Sequence, residues 1–202
     1  MTKKRSSYHH GNLAESLLDA VNTIAEQFGI EAVTLRGCAK HVGVSPSSAF
    51  RHYSDKRALL TAFATRALLE LTTVLEAARE EALEKKQDAM MSVGLAYIEF
   101  ALSHPALFRA MWREEALYTK DPDYEAAANS LQAQISAGFA GSISDSDPNA
   151  LSEHELLLWS SVHGLANLFV DGNLNKQLSV FERMKKAEAV LQTLRPALEQ
   201  TR

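Results

Sequence analysis

The chain has 202 residues and a formal charge of −4 at pH 7, with 46% hydrophobic and 23% charged residues. This composition is typical of a folded globular protein, and the single cysteine, Cys38, excludes an internal disulfide bond and a cysteine-based zinc site. No apolar run approaches the ~20 residues of a membrane span, and no signal-peptide pattern follows the basic residues 3–5. We therefore expect a cytoplasmic protein that does not enter the membrane.

The first predicted helix begins after Asn12, which forms a capping-box pair with Glu15, and it ends at Gly29. An apolar stripe with helical spacing runs along this helix: Leu13, Leu17, Val21, Ile24 and Phe28.

Three capping residues come next. Thr34 predicts a short helix over Leu35–Val42, which Gly43 ends. Ser45 predicts a second short helix to about His52, because Pro46 suits the first helical position. Ser54 is predicted to cap a long helix from about Asp55 to Leu83. Its apolar positions include Leu59, Leu60, Phe63, Ala67 and Val74.

The remaining chain predicts a helical body. After a break at residues 84–88, we expect one helix to Ser103 and two more over residues 105–115 and 122–140. Residues 141–150 form the clearest loop. A Ser152–Glu155 capping box begins a helix to residue 171, and a Ser179–Glu182 box begins a last helix that Pro196 stops. The sequence thus predicts an all-α protein of about nine helices.

Residues 34–53, TLRGCAKHVGVSPSSAFRHY, join two short helices through a turn at Gly43, where a missing Cβ permits a positive φ. Helix, glycine turn and helix is the helix-turn-helix pattern, in which the second helix enters the DNA major groove. The second helix carries side chains that can reach base edges or phosphates: Ser47, Ser48, Arg51 and His52. Ordinary packing of a helical hairpin is the alternative.

The distribution of charge favours the DNA interpretation. Residues 1–57 carry eight Lys/Arg and five Asp/Glu, a charge of +3, whereas residues 58–202 carry 13 and 20, a charge of −7. Lys56 and Arg57 lie in the first turn of the long helix, where cations are unfavourable unless an anion such as phosphate is near. Further cations flank the motif: Lys3, Lys4, Arg5, Arg36 and Lys40. Solvated surface charge is the alternative for each lysine alone.

The sequence resembles the TetR family of bacterial transcriptional regulators across residues 12–60. The resemblance rests on the helix ending at Gly29, on the segments 34–36, 39–40, 43–45 and 51–56, and on Leu59-Leu60. Three further segments resemble one subgroup, with a Trp-His-Gly type C-terminal domain: residues 8–11, 104–111 and 159–166. The resemblance implies a helix-turn-helix DNA-binding domain over residues 1–57. A long helix joins it to a helical regulatory, ligand-binding and dimerisation domain over residues 58–202.

The resemblance also implies the DNA contacts, with Thr34 and Lys56 on phosphates and the serines and His52 near bases and backbone. The candidate DNA-binding residues are Thr34, Arg36, Ser45, Pro46, Ser47, Ser48, Phe50, Arg51, His52, Tyr53 and Lys56. Phe50 stands where the family often has Tyr, so one phosphate bond is lost. Gly37 replaces an acidic helix former and is expected to cost ~1 kcal/mol relative to Ala. We interpret Cys38 as a small buried hydrophobe, not a redox sensor, because no second cysteine can resolve it.

Aromatic and methionine side chains are numerous after residue 90, and some are expected to line a pocket for a small-molecule effector between helices. Plain core packing is the alternative for each of them. The candidate ligand-binding residues are Phe63, Tyr97, Phe100, Phe108, Met111, Trp112 and Trp159. His163 shares a helix face with Trp159. We expect it to be a partly buried, hydrogen-bonded packing residue, with ligand contact as the alternative, and we expect Gly164 to allow close approach of another helix.

The prediction is a ligand-responsive transcriptional regulator, a repressor, that binds a palindromic double-stranded DNA operator as a homodimer. The dimer would form through the helices near 152–171 and 179–195 and would place two recognition helices about one DNA turn apart, ~34–36 Å. No catalytic set, metal site or cofactor motif is found, so we predict no enzyme, no metal and no cofactor. The alternative function is a helical adaptor that binds protein without DNA.

Overall fold

The protein, seen in a computed structural model, is described over residues 13–138, 153–172 and 177–199. All regular elements in these ranges are helical, which confirms the all-α prediction. The α-helices are α1 (Leu13–Phe28), α2 (Leu35–Val42), α3 (Pro46–Phe50), α4 (Lys56–Glu84), α5 (Ala89–Ser103), α6 (Pro105–Met111), α7 (Pro122–Gly138), α8 (Glu153–Val170) and α9 (Val180–Glu199). Two short 3-10 turns cover Ile30–Ala32 and Glu114–Ala116.

The helix-turn-helix forms as its capping residues predict. The Thr34 hydroxyl accepts the backbone N–H of Gly37 and begins α2, and the Ser45 hydroxyl begins α3 in the same way. Gly43 ends α2 with a φ of 84°, in the left-handed region that favours glycine. A Cβ on Gly37 would lie 2.8 Å from the Thr34 hydroxyl oxygen, so the glycine makes room for the cap.

The long helix α4 begins one residue later than the sequence predicts, because Asp55, not Ser54, is its N-cap. One oxygen of the Asp55 carboxylate accepts the backbone N–H of Ala58 at 2.8 Å. A carboxylate is favoured over a hydroxyl at this position because it also interacts with the positive end of the helix dipole. The same hydrogen bond is the main cause of a lowered Asp55 pKa.

Helix α4 is the central helix of the fold and packs against α5, α6 and α7. It is also tied to α1, because the Arg66 guanidinium pairs with Asp19 at 2.7 Å and with Glu70 at 2.9 Å. By length and composition α4 could cross a membrane, but 56% of its most apolar window is buried inside the protein. We interpret its apolar character as that of a core helix.

Two helix ends differ from the prediction. Helix α6 ends at Met111 instead of near Glu115, since the backbone of Trp112 and Arg113 leaves the helical region. Helix α9 continues past Pro196 to Glu199. Pro196 removes one backbone hydrogen bond from this helix, and three helical residues follow it.

Burial confirms most of the expected core, including Cys38, which is 0% exposed. Phe28 was expected in the apolar stripe of α1 but is 72% exposed, because the buried face of that helix ends at Ala25. Val74 was expected among the apolar positions of α4 and is also exposed.

Several predictions fall outside the described residues. They are the basic residues 3–5, the segment 8–11, the Asn12 cap, the loop 141–150 and the Ser152–Glu155 capping box. The division at residue 57 stays a prediction. For reference below, the head is residues 13–57 and the body is the rest of the described chain.

Candidate nucleic-acid interface and aromatic site

The exposed end of α3 presents a row of hydroxyl groups. The Ser45 hydroxyl lies 2.9 Å from that of Ser47 and 2.8 Å from that of Ser48. The Arg51 guanidinium donates to the Ser48 hydroxyl at 3.4 Å. Pro46, Phe50, His52, Thr34 and Arg36 are also exposed. Nine of the candidate DNA-binding side chains therefore lie on the surface of the head around α2 and α3.

Two of the candidate DNA-binding side chains already form hydrogen bonds to backbone oxygens of the protein itself. Tyr53 is half-buried, and its hydroxyl donates to the backbone oxygen of Ala14 in α1. Burial is the main cause that raises the pKa of Tyr53 to about 12. The Lys56 ammonium donates to the backbone oxygen of Glu31 at 3.0 Å. The structure thus gives both side chains a role in holding the head together.

The head and the body are joined by polar contacts that the sequence did not predict. The Tyr118 hydroxyl donates to Asp55 at 2.8 Å, and the Arg57 guanidinium lies 4.6 Å from the centre of the Tyr118 ring. Arg113 forms an ion pair with Glu31 at 2.6 Å. A small cleft lies at this junction, lined in part by Glu31, Lys56 and Arg113. No local pattern could have revealed these pairs, because the partners are far apart in sequence.

Four of the seven candidate ligand-binding residues converge in the body. Tyr97, Phe108, Trp112 and Trp159 surround His163, and we call these five side chains the aromatic cluster. Ring centroids lie 5.3 Å apart for Tyr97–Trp159 and 5.9 Å apart for Tyr97–Phe108. Trp112 and Trp159 lie 5.8 Å apart. The other three candidates, Phe63, Phe100 and Met111, are buried, but no ring contact joins them to the cluster.

His163 lies at the centre of the aromatic cluster. Its Nδ1 atom is 2.8 Å from the Tyr97 hydroxyl oxygen, and its ring stacks on Trp159 with centroids 5.4 Å apart and an interplanar angle of 14°. Trp112 approaches the same imidazole edge-on at 4.7 Å. Burial lowers the pKa of His163 and keeps it neutral near pH 7. The expected half-buried, hydrogen-bonded histidine is confirmed, and ligand contact stays a hypothesis.

The close helix approach expected at Gly164 is found at Gly94 instead. A Cβ on Gly94 would lie 3.3 Å from both Val162 and Leu191, so α5 packs tightly against α8 and α9 there. A Cβ on Gly164 would meet nothing within 4 Å in the described chain. The face of α8 that carries Gly164 also carries exposed Leu157 and Leu168, and α9 exposes further apolar side chains: Val180, Phe181 and Val190.

No metal site is built from the described residues, because no three His, Cys, Asp or Glu side chains come together there.

Comparison with known proteins gives two family matches. Residues 17–63 match the family described as "Bacterial regulatory proteins, tetR family". Residues 90–194, half of the chain, match "Tetracyclin repressor-like, C-terminal domain". The first match contains the helix-turn-helix, and the second contains the aromatic cluster.

Individual proteins resemble the chain at several levels. It is 31% identical over 101 residues to an uncharacterized HTH-type transcriptional regulator, YobS, of Bacillus subtilis (strain 168). That alignment covers 50% of this chain and 51% of the relative, so the chain spans about half the length of the relative it matches. A Rhodococcus sp. RHA1 protein of unknown function superposes with a TM-score of 0.70 and 28% identity, over 94% of this chain and 98% of its own. The multidrug binding protein EbrR complexed with ethidium superposes with a TM-score of 0.60 and 17% identity, over 92% and 99% of the two chains.

Proposed function

Because this chain belongs to the TetR family of bacterial regulatory proteins, we propose that it is a DNA-binding regulator of transcription. The hydroxyl row at α3 is the observation that carries this proposal. Its side chains are exposed, apart from the partly exposed Ser48. They bond to one another, so DNA can replace those bonds without unpairing a buried group. The positive charge of residues 1–57 supplies the attraction to phosphates.

Within the proposed interface, Thr34 and Lys56 position the head on phosphates, while Ser47, Ser48 and His52 reach base edges. Lys56 is partly exposed, and it would exchange its bond to the Glu31 backbone oxygen for one to a phosphate. Tyr53 contributes its ring, because its hydroxyl is used by Ala14.

We further propose a homodimer formed by α8 and α9. Large apolar side chains are exposed on both helices, and an exposed apolar face is typical of a protein interface. A two-fold dimer would place two copies of α3 one DNA turn apart and would select a palindromic operator.

The body is proposed to bind a small-molecule effector at the aromatic cluster. The cluster combines fully buried rings with the partly exposed Trp112, and EbrR, a structural neighbour, is complexed with ethidium, whose ring system is planar and aromatic and whose charge is positive. Effector binding would favour a state in which the two heads no longer fit the operator, which makes the protein a repressor. A coupling of ~1–3 kcal/mol is typical of such regulation.

The remaining parts of the proposal follow from the family. The protein acts in the cytoplasm without catalysis, with residues 1–57 for DNA and residues 58–202 for regulation. Trp159, His163 and Gly164 support its place in the subgroup with a Trp-His-Gly C-terminal domain.

Selection of bound DNA from a random pool tests the proposal. We expect an enriched palindrome whose half-site centres lie about one helical turn apart. The control is a variant in which Arg51 and Lys56 are both changed to Ala, which should enrich nothing. If the unchanged protein enriches no sequence, the adaptor function is favoured. If both proteins enrich the same sequence, Arg51 and Lys56 are not among the DNA contacts.

A further inference from the structure

The Tyr97 hydroxyl determines which ring nitrogen of His163 carries the hydrogen. Tyr97 is 2% exposed, and its hydroxyl lies 2.8 Å from His163 Nδ1. A buried hydroxyl hydrogen without an acceptor costs about 1–3 kcal/mol, so Tyr97 donates and Nδ1 accepts.

A neutral imidazole that accepts at Nδ1 carries its hydrogen on Nε2. Burial lowers the pKa of His163, which keeps the ring in this neutral form. In the described part of the chain, the imidazole ring of His163 makes one hydrogen bond, to Tyr97, while its backbone oxygen accepts from Asn167. Its Nε2–H is therefore a free donor on a half-buried ring that stacks on Trp159 and meets the edge of Trp112.

The surroundings of this donor favour a flat apolar molecule. Trp112 is 37% exposed and Trp159 is partly exposed, so both indoles have surface that a planar ring can cover. Offset or edge-on contact with such rings contributes about 0.5–1.5 kcal/mol beyond area burial. Arg109, the arginine of α6, is already paired with Asp171 at 2.7 Å.

From these contacts we infer that the aromatic cluster takes an uncharged, planar aromatic effector with one hydrogen-bond acceptor atom, which receives the Nε2–H of His163. This inference rests on the proposed effector site and adds the chemical class of the ligand. An anion is disfavoured because the five side chains of the cluster are neutral and a buried unpaired charge is costly. A cation gains attraction from the rings but leaves the imidazole N–H without an acceptor.

Three molecules of nearly the same shape separate these classes. Quinoline is a neutral acceptor near neutral pH, naphthalene lacks the acceptor atom, and N-methylquinolinium is a cation without one. Trp112 and Trp159 are the two tryptophans of the chain, so their fluorescence reports binding at this site in the full-length protein without DNA.

We expect quinoline to bind about tenfold more tightly than naphthalene, which corresponds to one hydrogen bond of ~1.4 kcal/mol. His163→Phe keeps an aromatic ring and should bring that ratio to about one. The control, His104→Phe, changes an exposed histidine outside the cluster and should keep the ratio.

Equal binding of quinoline and naphthalene to the unchanged protein would overturn the inferred chemical class of the effector but would still support the effector site. Tightest binding of the quinolinium ion would do the same. A fluorescence response to none of the three would overturn both the class and the site. The DNA selection experiment does not depend on these outcomes, so it tests the proposed DNA-binding function separately.

A direct measurement keeps the inference testable if His163→Phe does not fold. Nitrogen-15 NMR of the unchanged protein distinguishes the two histidine tautomers, and we expect the hydrogen of His163 on Nε2. Tyr97→Phe should reduce that preference and the quinoline-to-naphthalene ratio together. A hydrogen found on Nδ1 in the unchanged protein would overturn the inference.

Discussion

The hydroxyl of Tyr118 donates a 2.8 Å hydrogen bond to Oδ2 of Asp55, while Oδ1 of the same carboxylate caps α4. The Asp55 carboxylate thus caps the N-terminus of the central helix and also bonds to a residue of the body. The Tyr118 backbone N–H donates to the Thr61 hydroxyl at 2.9 Å, and Arg57 donates to the backbone oxygen of Leu117. Three hydrogen bonds therefore join the segment after α6 to the first turns of α4.

Tyr118→Phe is expected to lower the free energy of unfolding slightly, because it removes the exposed hydrogen bond to Asp55. Asp55→Ala should lower the free energy of unfolding further, because it also removes the N-cap of α4, which contributes ~1 kcal/mol. Urea denaturation should show that the double variant loses less unfolding free energy than the two single variants lose together. Tyr124→Phe, in the same body, is the control. Additive effects of the two changes would show that the bond contributes nothing.

Lys56→Ala is expected to weaken binding to all DNA sequences about equally. The slope of log affinity against log salt concentration should fall by about one, because one phosphate contact is lost. His52→Ala should change the sequence preference as well, because a base contact is lost. Binding to the selected operator and to single-base variants, at several salt concentrations, measures both effects. Uniform loss of affinity in both variants would remove His52 from the base contacts, and a flat salt response would contradict DNA binding itself.

Gly164→Leu is expected to convert the proposed dimer into a monomer. A side chain at this position meets nothing within 4 Å in the described chain, so the monomer should keep its thermal stability or gain from the better helix propensity of leucine. Sedimentation measures the change in mass. Glu99→Leu adds the same side chain to an exposed position of α5 and should stay dimeric. A dimeric Gly164→Leu protein would exclude this face of α8 from the interface.

Stability is expected to fall as the pH drops below about 6.5 in part because of His163. Burial lowers its folded-state pKa below 6.5, so the unfolded chain binds the proton first and unfolding becomes easier in acid. Urea midpoints between pH ~7.5 and ~5 should fall less steeply for His163→Gln than for the unchanged protein. Parallel pH profiles for the two proteins would contradict the buried, neutral state of this histidine.

Cys38 is expected to be inert toward thiol reagents while the protein is folded. It is 0% exposed, and burial raises its pKa to about 11, so almost no thiolate forms near neutral pH. The rate of labelling in buffer should be lower by orders of magnitude than in concentrated urea, and Cys38→Ala should abolish labelling in both. Rapid labelling of the native protein would instead support the redox-sensor alternative.

The amino-acid sequence by itself determined the local features of this protein. Thr34, Ser45 and Gly43 specify the helix-turn-helix because a cap and a left-handed turn depend on residues within three or four positions. The apolar spacing along α1 and α4 likewise predicted most of the buried positions, whereas Phe28 and Val74 are exposed and Leu13 and Ile24 are partly buried. The Asp55 cap was misassigned to Ser54 by one residue, because both side chains can accept a backbone N–H.

Only the tertiary structure decided which distant side chains meet. Tyr118 with Asp55, Arg113 with Glu31, and Tyr97 with His163 are pairs separated by more than 60 residues. Their contacts depend on how α5, α6 and α8 pack around α4. The sequence predicted an aromatic pocket as a set of rings, and the fold selected four of them and placed His163 at their centre. That packing places the Tyr97 hydroxyl 2.8 Å from His163 Nδ1, because α5 and α8 lie side by side, and from this contact we infer the chemistry of the effector.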